Sequence, residues 1–307
     1  MERVDILGLG AVAVDDLVYV EAYPPANTKA QVLDRERQCG GLTATALVAA
    51  SRLGCHCAYA GLVGTDEASE FALEAMARAG VEVTSAGRRS DRRVYHSTII
   101  VDRLGHRTLL SHGRKVQGAD DDWPREEILR ACKVLFVDHT APAGMARAAR
   151  IARSAGIPVV ADIERRESEL IDELMCRIDH LIVPEEFARA ATGLDDAGRA
   201  AVSLMQGDRQ AVVVTCGERG SWIVGRDGSL AHQEAYSVPT IDTTGCGDVF
   251  HGAYAAGLVM GMDLPSRVRL ASAAAALKAT RHGGQAGCPT LAEVKSFLED
   301  REKSTPG

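Results

Sequence analysis

Short β-branched runs alternate with helical patterns through most of the chain, and this alternation restricts the fold more than any other feature. "VDILGLG", "CAYAGLVG", "KVLFVD" and "IPVVADI" read as strands, with "LTATALVAASRLG", "DEASEFALEAMARAG" and "GMARAARIARSAG" as the helices between them. Strands joined by helix-length crossovers pair in parallel, so the body is expected to be α/β with helices packed on the sheet. Gly54, Gly80 and Gly156 each stand just past a helical run, where a left-handed residue closes a helix. At 307 residues the chain can bury one large core without disulfides or metal, and 1–307 reads as one domain.

Two stretches break the rhythm. Residues 12–37 and 94–112 read as strands with no helix between them, and "VDRLGHR" supplies a hairpin turn between "YHSTIIV" and "RTLLSH". A small β-sheet lid, inserted in the body as about 12–37 and 94–114, accounts for both, since functional segments tend to project from a rigid scaffold. From 245 onward the pattern turns helical.

Net charge is −7, with Lys plus Arg 35 against Asp plus Glu 42. An acidic whole disfavours nucleic acid and anionic membranes as partners and points to a small molecule. The four arginines of "GRRSDRRVYH" (Arg88, Arg89, Arg92, Arg93) have no interleaved aromatics and read as a solvated loop. Eight cysteines (Cys39, Cys55, Cys57, Cys132, Cys176, Cys216, Cys246, Cys288) lack the paired spacing of a zinc site and read as reduced thiols. "MERVDILGLGAVAVDD" lacks signal-peptide architecture and there is no long apolar span, so a cytoplasmic protein is expected.

The chemistry concentrates in "DTTGCGDVFHGAY", residues 242–254. A helix start presents unpaired N–H groups and the positive end of the dipole, and glycine lets an anion approach the backbone. Gly245 and Gly247 let the amides of 245–248 converge, and Asp248 lies beside them in the first turn. A carboxylate next to an anion hole suits a base that takes a proton from a hydroxyl attacking phosphorus. Alternatively, Asp248 merely complements the helix dipole; the apolar run after it, which carries it into the interior, favours the first reading. His251, one turn on, is expected to pack rather than touch substrate. No P-loop motif is present.

This stretch closely resembles the C-terminal signature of the ribokinase (PfkB-type) family of sugar and nucleoside kinases, DTxGAGDxFxxG, with Cys246 where alanine is usual. "CGGLTATALVAASRLG", "AGLVGTDEASEFALEAMARAGV" and "VVVTCGERGSWIVG" extend the resemblance over almost the full chain. It implies a three-layer α/β/α sandwich with a β-sheet lid, ATP and Mg2+ as cofactors, and a homodimer through the lid. Asp248 matches the catalytic base, and the amides of Gly245, Cys246 and Gly247 the anion hole. Thr215, Gly217 and Gly220 match positions near ATP. Asp242 and Thr244 match positions that hold a monovalent cation such as K+ in many members.

At the sugar end, Gly8–Ala13 reads G-x-G-x-x-A, but the β-branched alternation after it excludes a dinucleotide site. Asp15 matches the family aspartate that binds sugar hydroxyls, and Gly40 and Gly41 let a ring approach the backbone. Thr45 stands where asparagine is common, and Pro184 and Phe187 where many members carry N-x-x-E. "VVADIERRESEL" resembles ketohexokinases; "ALKATRHGGQAGCP" and "YVEAYPPANTKAQV" resemble bacterial sulfofructose kinases. Lys29 matches a sulfonate-contacting lysine, but Ser111 and Thr140 replace its partners, and a solubilising charge on an exposed edge strand is the competing reading. The expectation is a kinase for a primary hydroxyl of a ketohexose or modified ketose, with ribose, a keto-deoxy sugar acid, a sugar phosphate or a nucleoside as alternatives; the missing N-x-x-E pair and Thr45 leave a non-catalytic sugar or nucleotide binder as the reading from another class, which the intact Asp248 turn opposes.

Overall fold

The structure is a computed structural model that describes residues 3–104, 106–112, 118–166 and 168–304; positions 105, 113 and 114 of the expected lid lie outside the described residues. In chain order the strands are β1 Val4–Gly8, β2 Ala13–Val20, β3 Val32–Gly40, β4 Cys57–Tyr59, β5 Leu62–Val63, β6 Gly87–Arg88, β7 Tyr95–Val101, β8 Arg107–His112, β9 Cys132–Asp138, β10 Val159–Asp162, β11 His180–Pro184, β12 Ala211–Thr215, β13 Ser221–Gly225 and β14 Leu230–Gln233. The helices are α1 Leu42–Arg52, α2 Glu67–Arg78, α3 Glu126–Leu129, α4 Pro142–Ser154, α5 Leu170–Met175, α6 Glu185–Thr192, α7 Ala197–Leu204, α8 Cys246–Val259, α9 Leu264–Ala279 and α10 Leu291–Ser304.

The large sheet runs β14-β13-β12-β11-β10-β9-β1-β4. Its strands from β4 to β12 are parallel, and β13 and β14 extend it antiparallel. Because helices cover both faces, the central strands read as nearly unbroken apolar runs. In β9, Val134 and Phe136 enter the core under α1 and α8, while Leu135 and Val137 enter the one under α4. This gives the three-layer α/β/α arrangement expected of the chain.

The second sheet has the order β3-β2-β7-β8. The β7–β8 hairpin forms where its turn residues place it, and β2 pairs β7 in parallel, with Asp15 opposite Ser97. β3 continues three residues past 37, to Gly40, and stops at the glycine pair. Strand alternation sends Asp15, Gln38 and Ser97 to one face and Asp16, Arg37 and His96 to the other. No helix among the described residues is long and apolar enough to cross a membrane.

Candidate active site

The parallel strands β9 and β10 end side by side in Asp138 and Asp162, both fully buried. Open α/β sheets bind ligands at this carboxyl edge. Asp138 is saturated: it accepts from the Ala11 amide at 2.6 Å, Thr43 Oγ1 at 2.9 Å, and the Thr140 amide and hydroxyl at 2.9 and 2.5 Å. A Cβ on Gly10 would lie 1.9 Å from Asp138 Oδ2, so the second glycine of the G-x-G fragment makes room for this carboxylate. Asp162 is the opposite case. Neither of its oxygens has a hydrogen-bond partner, and the nearest basic atom, His251 Nε2, is 3.4 Å away. Asp162, Glu164 and Asp248 bring carboxylate oxygens within 4.8 Å of one another.

α8 opens on Gly245, whose φ of +76° only glycine adopts without strain. A Cβ there would meet Gly284 Cα at 3.2 Å, Thr45 Cγ2 at 3.4 Å and Asp248 Oδ2 at 3.7 Å, so turn, sugar-side helix and expected base converge. The Cys246 amide donates to Thr243 O at 3.2 Å, while the first-turn amides of Gly247 and Asp248 lack intrahelical acceptors, as at any helix start. Asp248 is half-buried. Burial, then the Asp162 charge, push its carboxyl well above the ordinary range, and His251 opposes them. Burial likewise raises Asp162, with Glu164 and Asp138 adding to it. His251 is buried as expected: Nδ1 sits 2.7 Å from Gly247 O and Nε2 3.3 Å from Ile182 O.

On the sugar side, Asp15 ends half-buried beside Gly40, where a Cβ would lie 3.4 Å from its Oδ2. Burial raises its carboxyl, against a hydrogen bond from Ser97. Gly41 caps α1 at φ +98°, and a Cβ there would strike Ala11 O at 2.6 Å. Thr45 is buried in the first turn of α1. Lys29 is not brought to this group; it lies exposed in the connection between β2 and β3. Across the edge, Thr215 ends β12, and Gly217 and Gly220 bracket a tight 3-10 turn at positive φ. Pro184 ends β11 and Phe187 is core, while Asp162 ends the neighbouring strand β10.

Asp242, expected to face a monovalent cation with Thr244, accepts from the Thr244 and Gly283 amides, each at 2.9 Å, and has the buried Lys278 ammonium 3.7 Å from Oδ2. Burial raises its carboxyl, but these hydrogen bonds and the Lys278 charge outweigh that and hold it below the ordinary value. The arginine loop is engaged with acids: Arg89 and Arg92 with Asp120 at 2.7 and 3.2 Å, Arg93 with Asp66 at 3.8 Å, and Arg88 with Glu70. Sequence reasoning missed Asp138, Asp162, Glu164, Thr43 and Lys278. The first two had a signal, an apolar strand closing on an aspartate in "LFVD" and "VVAD".

Residues 6–291 match the family model described as pfkB family carbohydrate kinase. The chain is 26% identical to a ribokinase of Haemophilus influenzae over 299 residues, covering 95% of this chain and 97% of that one. It superposes with a TM-score of 0.89 and 27% identity on an Agrobacterium tumefaciens protein provisionally named a ribokinase, covering 99% and 100% of the two chains. Arabidopsis thaliana ribokinase, solved with ribose and ATP, matches at a TM-score of 0.86 and 21% identity over 97% and 99%.

Proposed function

Since the chain belongs to the pfkB family of carbohydrate kinases and is an ATP-dependent sugar phosphotransferase, we propose that its acceptor is a primary hydroxyl of a ketohexose or modified ketose, deprotonated by Asp248. The observation that carries the assignment of the base is the convergence at Gly245, where the α8 turn, Thr45 of α1 and the Asp248 carboxyl meet within 3.7 Å of one point.

The sugar lies over Gly40 and Gly41 with Asp15 accepting hydrogen bonds from its hydroxyls, and Asp248 takes the proton of the attacking hydroxyl. As the new O–P bond forms, the bond between the γ-phosphorus and its bridging oxygen breaks and ADP leaves. Amides of the first turn of α8 face the charge that develops. Thr215, Gly217 and Gly220 border the nucleotide. The unpartnered, buried oxygens of Asp162 fit a divalent cation, and Asp162 with Glu164 would hold Mg2+. Such an ion neutralises charge on the ATP phosphates. Closure of the lid excludes water, which otherwise competes as acceptor. Exposed Val32, Leu33, Leu109 and Leu110 on the lid support pairing with a second copy there, and the unpaired thiols suit a cytoplasmic setting.

Ribose is the second reading, favoured by the ribokinase name of the Haemophilus relative. ADP release over fructose, a sulfonated ketose, ribose, a keto-deoxy sugar acid, a sugar phosphate and a nucleoside separates them. The highest kcat/KM is expected on a ketose; a preference for ribose overturns the ketose assignment, and turnover on none points to a binding protein.

A further inference from the structure

Lys278 stands in the last turn of α9 with a side chain that is 0% exposed. A buried ammonium is strongly unfavourable unless it is paired and hydrogen-bonded. Here its surroundings are oxygens from two loops: Nζ donates to Asp242 O at 2.8 Å and to Arg281 O at 3.3 Å, with Asp242 Oδ2 at 3.7 Å. Two main-chain carbonyls and a carboxylate are the kind of oxygen donor set that a bare monovalent cation selects.

The loops that meet on this ammonium shape the phosphate-facing turn. One is Asp242–Gly247, which runs directly into Asp248. The other crosses it at Gly283, whose amide bonds Asp242 Oδ2 at 2.9 Å, and at Gly284, which packs on Gly245. Anything that fills the nest therefore fixes the relation between turn and base.

We propose that Lys278 is a tethered monovalent cation: its ammonium occupies the oxygen nest of Asp242 and Arg281, holds the 242–247 turn in register, and makes phosphoryl transfer independent of K+. Asp242 and Thr244 then serve to organise an internal charge, not to bind one from solution. Lys278 is a positioning residue, since it reaches the reaction through the turn. Its role in turnover rests on the kinase reading, whereas occupancy of the nest does not.

The test compares wild type and Lys278→Met, which keeps the stem and removes the charge, in potassium, ammonium and choline chlorides at equal ionic strength. Wild type is expected to show the same kcat/KM and the same Tm in all three. Lys278→Met is expected to lose about tenfold or more in kcat in choline, to recover most of it in potassium or ammonium, and to gain about 2–4 °C in Tm from those ions and not from choline. Stimulation of wild type by K+ overturns the proposal even if the variant fails to fold. So does a folded variant that is unaffected in choline, or that no monovalent cation rescues, because a lysine that merely packs gives no ion-selective recovery. The Tm comparison needs no sugar: absence of turnover on every acceptor sinks the kinase reading and leaves this one to be decided by the melting data.

Discussion

In the lid, Asp16 shares its carboxylate between Arg37 at 2.6 Å and His96 at 2.7 Å, and the Arg37 hydrogen bonds hold it down at about 2. At the sheet edge, Asp162 has neither oxygen hydrogen-bonded, and burial holds it and Asp248 well above the ordinary carboxylate range. The same side chain is thus satisfied in one region and left wanting in the other. Partnered acids at a half-exposed surface fix the shape of a segment; unpartnered ones in a low-dielectric pocket are poised to accept a proton or a cation. The direction of the shift also changes at close range: Asp15, one residue from Asp16 on the opposite face, is raised by burial in spite of a Ser97 hydrogen bond, and Asp242, six residues before Asp248, is lowered.

Asp248→Asn tests the contrast at its strongest point. It keeps the volume and removes the proposed base, so kcat is expected to fall by about 10²–10⁴-fold, while ATP still raises the Tm. A base must be ionised to act, so wild-type kcat falls as pH drops through the raised pKa of Asp248, and the acid limb of the pH profile lies above the ordinary carboxylate range. A limb at the ordinary carboxylate value, or a variant with wild-type turnover, breaks the distinction between poised and structural acids.

Asp15 and Asp16 offer the next test. Asp15→Asn is expected to weaken the proposed charged hydrogen bonds to sugar hydroxyls, an effect of about 1.5–3 kcal/mol, and so to raise the sugar KM by about 10–100-fold with less change in kcat. Asp16→Asn faces away from the sugar and should leave KM nearly unchanged. Equal effects of the two substitutions would mean that strand alternation does not separate their tasks.

Asp162→Asn reads the same contrast in stability. A carboxyl whose folded pKa lies above its unfolded value makes the folded state bind the proton more tightly. Stability is then lost as pH rises from the unfolded value through the folded one. Replacing Asp162 by the neutral amide should stabilise the apoprotein at neutral pH by about 1–2 kcal/mol, with the gain vanishing below pH ~4. The Tm increase that Mg2+ gives wild type should shrink in the variant. Urea melts at two pH values, with and without Mg2+, measure both; a destabilised variant at neutral pH would show that Asp162 has partners and is not poised.

What the sequence discloses follows from how local the chemistry is. The α8 entrance was legible because a left-handed glycine, a helix dipole and a first-turn acid all sit within a few residues, and Gly245 at φ +76° shows the same local logic. The β7–β8 hairpin was legible from its turn. Asp162 was only half legible: the strand-end aspartate of "VVAD" is visible, but its meaning comes from burial beside Asp248, which lies on a different element far along the chain. Lys278 escaped for the same reason: its partner Asp242 is 36 positions away, and in sequence it is one lysine near the end of an alanine-rich helix. The parallel β2–β7 pairing of the lid joins segments some 80 residues apart, and no local pattern states it.

Arg37 carries the smallest expected effect and the sharpest control. Its guanidinium binds Asp16 at 2.6 Å and Glu67 at 2.8 Å, so it ties the lid strand β3 both to β2 and to α2 in the body. Both pairs are partly exposed, and such pairs contribute about 0.2–1 kcal/mol, less at high salt. Arg37→Met should therefore lower stability by no more than about 1 kcal/mol in dilute buffer and by less in 1 M salt. Asp16 has its folded pKa below its unfolded value, so its share is present above the unfolded pKa and is lost as pH falls toward about 2. This is the reverse of the Asp162 dependence. A double-mutant cycle of Arg37→Met with Asp16→Asn, run at two salt concentrations, gives the coupling directly. A coupling insensitive to salt, or as large as that of a buried pair, would place the lid acids with the poised ones and remove the contrast between the two regions.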